Sequence, residues 1–236
     1  TNEMIAYLHH NENPCQCAIW WLSVDNNTGR FKEWNRKDIL HLYQSEYARQ
    51  HLLKNGASNL ICMTEYISDP PNPGDEPRTI DVLFNPLKGI HYTDNIQKRS
   101  SSSIKFRPIG GGAHGHDRIQ PSEVRELLKS SKLYIDFGHH PGMDRLPREA
   151  ALAGCLVVTN TAGSAHYQRD VPLPTKYKIR TFNVEQIHHL LKDLLDNYQE
   201  RTADLDDYRS WILAQKDQMK KCVETFVDIV VTRRCH

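Results

Sequence analysis

Three short strings of this sequence carry residue types that could do chemistry together. The first is Asn85-Pro86-Leu87-Lys88-Gly89. A lysine beside a glycine, just after an apolar run, can set an ammonium against a phosphate with no side chain in the way. The GxxxxGK[ST] spacing of a P-loop is absent, and an exposed turn lysine would look alike. The second string is Ile135-Asp136-Phe137-Gly138-His139-His140-Pro141-Gly142-Met143-Asp144-Arg145-Leu146-Pro147-Arg148-Glu149-Ala150-Ala151-Leu152-Ala153-Gly154-Cys155. It opens as a strand, continues as a loop longer than the usual two to six or so residues, and closes as a helix. Glu149 falls in that helix's first turn, where an acidic residue also suits the helix dipole. Small Ala150, Ala151 and Ala153 let the helix pack closely and hold the carboxylate in place. The third string is Thr161-Ala162-Gly163-Ser164-Ala165, a glycine-containing turn whose backbone amides can hold a diphosphate. An ordinary tight turn has the same composition.

A second chemistry competes with the first. The chain has 13 histidines. His114-Gly115-His116-Asp117, following Gly110-Gly111-Gly112-Ala113, could join His139 and His140 around metal ions, as in a hydrolase. The carboxylates needed to complete such a ligand set are not placed convincingly. No DxD-like acidic pair is evident either, so no metal is expected at the site. The six cysteines, Cys15, Cys17, Cys62, Cys155, Cys222 and Cys235, show neither paired CxxC spacing nor a small-domain disulfide pattern. Buried thiols in a reducing compartment, and hence a cytoplasmic location, are the plain expectation.

The elements that must position these residues alternate. Strands are expected at Thr79–Asn85, Ser103–Ile109, Lys132–Gly138 and Cys155–Asn160, with a weaker one at Lys178–Phe182; their starts are one βα unit apart. Helices are expected at Pro121–Lys129 and at Pro147–Ala153, the latter with Pro in its first turn and Gly154 as its stop. A further helix begins at Asn183, with Gln186 three residues on. A long final helix starts near Leu205. Ahead of these, Ala18–Val24 and Asn59–Met63 read as strands, and His41–Leu53 as a helix ending at Gly56. Ser68–Pro77, with four prolines, reads as a linker. The domains so drawn are 1–69, a linker at 70–77, 78–203, and a C-terminal helix at 204–236. Alternation of this kind implies a parallel sheet covered on both faces, with ligands beyond the carboxyl ends of its strands.

With 30 Lys and Arg against 29 Asp and Glu, the 236-residue chain has a formal net charge of +1, unlike a general nucleic-acid binder or a polybasic membrane protein. No apolar run approaches the roughly 20 residues of a membrane span, and no signal peptide opens the chain. The first residue is Thr1 rather than Met, as in a piece of a longer protein.

Taken together, Lys88-Gly89, the string ending in Arg148-Glu149-Ala150-Ala151-Leu152-Ala153-Gly154-Cys155, and Gly163-Ser164-Ala165 resemble the nucleotide-sugar half of a GT-B glycosyltransferase of the glycosyltransferase-4-like type. The resemblance covers roughly residues 79–200. It implies an α/β, GT-B-like fold: a Rossmann-type parallel-sheet domain plus a smaller, truncated N-terminal α/β domain on the acceptor side. It also implies transfer of a sugar, without a metal or other cofactor, from a nucleotide-diphosphate donor to a glycan, lipid or other small acceptor. Glu149 matches the glutamate that hydrogen-bonds the ribose hydroxyls. Lys88, with Gly89, matches the lysine near the diphosphate, and Arg145 would add a second positive charge. Gly163, Ser164 and Ala165 match the turn that holds phosphate oxygens. His139, His140 and Asp144 are the catalytic candidates; either histidine could contact the sugar, shuttle a proton or merely cap the loop. The family's glutamate eight positions before Glu149 is replaced by Pro141, the usual phosphate-loop arginine is not evident, and the N-terminal half is short. A non-catalytic, nucleotide-binding remnant of the fold is the main alternative.

Overall fold

In the computed structural model the residues described are 17–27, 31–100, 104–110 and 117–234. His114, His116, Cys15, Cys235 and the beginning of the expected Ser103–Ile109 strand lie outside them. The chain divides into two compact units. One comprises residues 1–66, 141–143 and 214–236, and the other 67–140 and 144–213. The division falls ahead of the proline-rich run, and the final helix contributes to both units.

The first unit holds a three-stranded parallel sheet in the order β1 (Cys17–Trp21), β2 (Ile39–Tyr43), β3 (Leu60–Cys62). The expected helix His41–Leu53 is corrected here: its first part is β2, and the helix, α1, is Glu46–Lys54. Ser45 marks the true start, its hydroxyl accepting from Ala48 N at 3.1 Å. Alternate β2 residues point to opposite faces of the sheet. Ile39 joins Trp21, Phe31, Ala48 and Leu52 on one side, while Leu40 and Leu42 join Ile61 and Met63 on the other. Burial on both faces leaves β2 apolar but for His41, and its pattern ran on into α1 without a break.

The second unit contains β4 (Ile80–Phe84), α2 (Ile90–Ser100), β5 (Phe106–Pro108), α3 (Pro121–Lys129), β6 (Ser131–Asp136), α4 (Arg145–Leu152), β7 (Leu156–Asn160), β8 (Lys178–Ile179), α5 (Val184–Asp196) and the short α6 (Tyr198–Arg201). Its five strands are parallel throughout, in the order β5-β4-β6-β7-β8. Val82, Leu83, Leu133, Ile135, Leu156 and Val158 form the middle of one core with Ala150, Leu152, Ile187 and Leu191. Helix α4 starts two residues before the expected Pro147. At α5, Asn183 caps the helix and accepts from Gln186 N at 3.1 Å. Within the first unit, the end of α7 (Asp206–Arg234) lays Met219, Cys222 and Phe226 against Leu40, Leu42 and Ile61. No helix among the described residues is long and apolar enough to cross a membrane.

The strand order locates the ligand edge. After β4 the chain adds β5 on one side, then returns to add β6 on the other. The chain therefore leaves β4 and β6 toward opposite sides of the sheet, the place in open parallel sheets where ligands commonly bind.

Candidate functional site

The loop leaving β4 is built by Asn85. Its side chain accepts from Leu87 N at 3.0 Å and its carbonyl from Lys88 N at 3.2 Å, which folds Asn85-Pro86-Leu87-Lys88 into a turn. Gly89 follows at φ +60°, and a Cβ there would stand 2.6 Å from the Phe137 carbonyl carbon. A Cβ on Gly138 would in turn lie 2.5 Å from Lys88 Cβ. Only glycines allow the loops after β4 and β6 to touch in this way.

That approach brings Lys88 onto the second string. Its ammonium lies 2.5 Å from Asp144 Oδ2, and the same oxygen meets His140 Nδ1 at 2.7 Å. Asp144 stands at the N-cap of α4, yet its side chain makes no cap hydrogen bond; its carboxylate serves the loop instead. Burial alone would raise the Asp144 carboxyl, but the bonds from His140 and Lys88 outweigh it and hold it below the ordinary aspartate value. His140 is 2% exposed, and its Nε2, which has no hydrogen-bond partner, lies 3.8 Å from Asp136 Oδ1. Asp136 accepts from Gly138 N and Tyr134 Oη, each at 3.1 Å. Burial first, and the Asp136 charge second, push the Tyr134 hydroxyl well above its usual range, so it donates.

The donor atoms of Asp136, His140 and Asp144 lie within 4.8 Å of one another, close enough to surround a cation. Both Asp136 oxygens are already engaged by protein donors, and the Asp144 charge is met by Lys88. Hydrogen bonds join Lys88, Asp144 and His140 in one chain.

The third string closes on the second. Gly163 has φ +61°, and a Cβ there would run into the His140 carbonyl. Ser164 N donates to that carbonyl at 2.8 Å. The Ser164 amide is thus engaged within the protein, unlike an amide waiting for a phosphate oxygen; Ser164 and Ala165 are both buried. Arg145 and Glu149, one turn apart on α4, pair with each other through Nη2 and Oε1 at 3.0 Å. Lys88, Gly89, His140, Asp144, Gly163 and Ser164 therefore form one contact network. Arg145 and Glu149 form a separate pair on the helix that this network opens. His139, next to the buried His140, is exposed.

Two residues that hold the site were not singled out from the sequence as functional. Asn160, the last residue of β7, donates from Nδ2 to the carbonyls of Phe137 and Gly138, both at 2.8 Å, and accepts from Ala162 N at 3.0 Å. It clasps the loops after β6 and β7 together; an amide ending the buried Leu156-Val157-Val158-Thr159 run was the available signal. Arg148 is 2% exposed and donates from Nε to the Asp144 carbonyl at 3.1 Å.

No protein-family model and no curated protein matches the sequence. Solved structures do match. S. aureus TarM is 15% identical with TM-score 0.63, the match covering 86% of this chain and 44% of TarM. Anabaena HepE in complex with UDP-glucose is 12% identical with TM-score 0.56, covering 82% of this chain and 65% of HepE. Sucrose-phosphate synthase from Thermosynechococcus elongatus is 9% identical with TM-score 0.67, covering 97% of this chain and 71% of that enzyme. These are GT-B glycosyltransferases, and the chain shares their α/β fold. It spans less than half the length of TarM.

Proposed function

We propose that the chain binds a nucleoside-diphosphate sugar at the crevice after β4 and β6 and transfers the sugar to a hydroxyl-bearing acceptor such as a glycan or lipid. The observation that carries this reading is the Lys88 ammonium, held at the strand-order reversal of a GT-B sheet, beside the start of α4. Breaking a glycosidic bond to a diphosphate leaves negative charge on the departing phosphate. Lys88 stabilises that charge where it develops, the role a metal ion fills in other transferases. The α4 N-terminus adds a partial positive charge. Glu149, one turn into α4, takes the ribose hydroxyls, and Arg145 is released from it to the phosphates or to solvent. His140, buried and bonded to Asp144, acts on Lys88 and not on the sugar, so both are positioning residues. Exposed His139 is the histidine that meets a sugar hydroxyl. The HepE complex with UDP-glucose supports a donor of this class.

A remnant that binds the nucleotide without turnover is the second reading, favoured by Pro141 standing where the family has a glutamate eight positions before Glu149. Release of nucleoside diphosphate from UDP-glucose and related donors, measured with and without a panel of sugar and lipid acceptors, separates the two. Acceptor-dependent release supports the transferase. Donor binding without release across the panel supports the remnant, and absence of binding contradicts both.

A further inference from the structure

We propose that Cys62 and Cys222 are a redox pair, which a small-molecule disulfide such as oxidised glutathione converts to an intramolecular disulfide tying α7 to β3. Both residues belong to the first unit, whereas Lys88, Asp144 and Glu149 of the donor reading belong to the second. The two proposals therefore stand or fall separately.

Cys17, Cys62, Cys155 and Cys222 all carry thiols, in different surroundings. Cys155 is fully buried, and its Sγ donates to the Leu128 and Ser131 carbonyls at 3.1 and 3.3 Å. Cys222 meets another sulfur instead. Its Sγ lies 3.9 Å from Cys62 Sγ, across 160 positions of sequence. A disulfide bond is about 2.05 Å long, so turning about the two Cα–Cβ bonds must bring the sulfurs about 1.9 Å closer. The surroundings also divide the roles. Cys62 ends β3, a strand at the edge of the first unit's sheet, and is half-buried, so an oxidant reaches it first. Cys222 is buried among Leu40, Leu42, Ile61 and Met63, where a bulky disulfide cannot reach it but Cys62 can.

The chemistry is thiol–disulfide exchange in two steps. The Cys62 thiolate attacks one sulfur of the oxidant, forming a mixed disulfide and releasing a glutathione thiolate, which takes up the proton Cys62 lost. The Cys222 thiolate then attacks Cys62 Sγ, forming the Sγ–Sγ bond and displacing the second glutathione, which takes up the Cys222 proton. The protein pair loses two electrons, and one oxidised glutathione becomes two reduced ones. What the bond changes is the hold on α7. Near residue 214, Thr64 Oγ1 donates to Gln215 Oε1 at 2.8 Å. Farther along, Met219, Phe226 and Val230 pack on the sheet, while Val223, Val227 and Val231 are exposed. A helix held by one face opens locally most readily, and a covalent link along that face removes the opening.

Incubation of the parent with oxidised glutathione, followed by blocking of remaining thiols and peptide mapping by mass spectrometry, tests this. The parent should yield the Cys62 and Cys222 peptides joined to each other. Cys222→Ser should instead retain glutathione on Cys62, because the second step has lost its nucleophile. Amide hydrogen exchange across residues 219–230 should slow by at least about tenfold on oxidation of the parent, and not in Cys222→Ser. Cys62 and Cys222 left unlinked, or linked to other cysteines, overturns the proposal. So does linking no faster in the folded chain than in urea, since proximity in the fold is its cause. Unchanged exchange in the linked parent overturns the hold on α7. Should Cys222→Ser fail to fold, the parent's peptide map in the presence and absence of urea decides alone.

Discussion

The two ends of the second unit's sheet are built from the same residue types to opposite purposes. At the amino end, Arg78 precedes β4 and spends its guanidinium on the chain itself. It donates to the carbonyls of Leu128 (3.2 Å), Ser131 and Ala153 (2.5 Å), and lies over the Tyr198 ring at 5.8 Å. The Leu128 and Ala153 carbonyls end α3 and α4, where a cation is favoured, and Ser131 opens β6. Nearby, Arg209 Nε donates to Ala151 O at 2.8 Å, and Tyr198 Oη to Gly154 O at 2.8 Å. Cys155, fully buried there, has its thiol pushed up to about 12. At the carboxyl end, the Lys88 cation is met by a single exchangeable carboxylate, His140 keeps an unused nitrogen, and Arg145 pairs with Glu149 on a half-exposed helix face. Cations that satisfy several carbonyls hold a fold together; a cation with one replaceable partner is ready for an anion.

That contrast can be broken by substitution, most severely at the amino end. Arg78→Ala should lower the unfolding free energy by about 3 kcal/mol in urea titration, because several backbone acceptors lose a charged donor. Nucleotide affinity of the folded fraction should not change. Gly163→Ala joins both properties. Its strained φ and collision with the His140 carbonyl should cost about 2 kcal/mol of stability and weaken UDP binding as well. Lys88→Ala should cost less stability than Arg78→Ala, since Asp144 keeps its His140 bond when it loses the ammonium, yet reduce UDP affinity about thirtyfold by calorimetry. Glu149→Gln sharpens the comparison within the carboxyl end. It should weaken UDP by about tenfold without weakening inorganic pyrophosphate, if the ribose and not the phosphates meets residue 149 as proposed. The smallest effect concerns acid. The Asp144 carboxyl is held below its unfolded value, so its contribution to stability is present above that value and fades as pH falls through the folded one. Acid unfolding curves of the parent and Asp144→Asn should therefore converge at low pH and separate as pH rises.

The second unit's sheet was legible because β4, β6 and β7 are apolar runs such as Leu133–Ile135 and Leu156–Val158, set off by glycines and prolines. The boundary between β2 and α1 was hidden because Leu42 and Tyr43, in a doubly covered strand, also fit the spacing of the helix that follows; only Ser45 separates them. At the site, the long loop before Glu149 marked the right place, and the Arg145–Glu149 pair follows from helical spacing. The partner of Lys88 was not legible. Asp144 lies 56 positions away, and only the touching of Gly89 with Phe137 and Gly138 decides that they meet. Arg78 was passed over for a related reason. It sits at the edge of a proline-rich run that reads as linker, and its acceptors are backbone carbonyls, which no sequence pattern displays.

The claim on which the account depends is that the Lys88 end of the sheet receives a nucleoside diphosphate. A thermal-shift series with UDP, GDP, ADP and the corresponding sugar nucleotides, on the parent and Lys88→Ala side by side, tests it most directly. The account predicts that at least one nucleotide raises the parent's melting temperature, by the equivalent of about 2.7 kcal/mol at a hundredfold excess over Kd, and that Lys88→Ala loses most of that gain. Equal stabilisation of both proteins, or of neither, would contradict it.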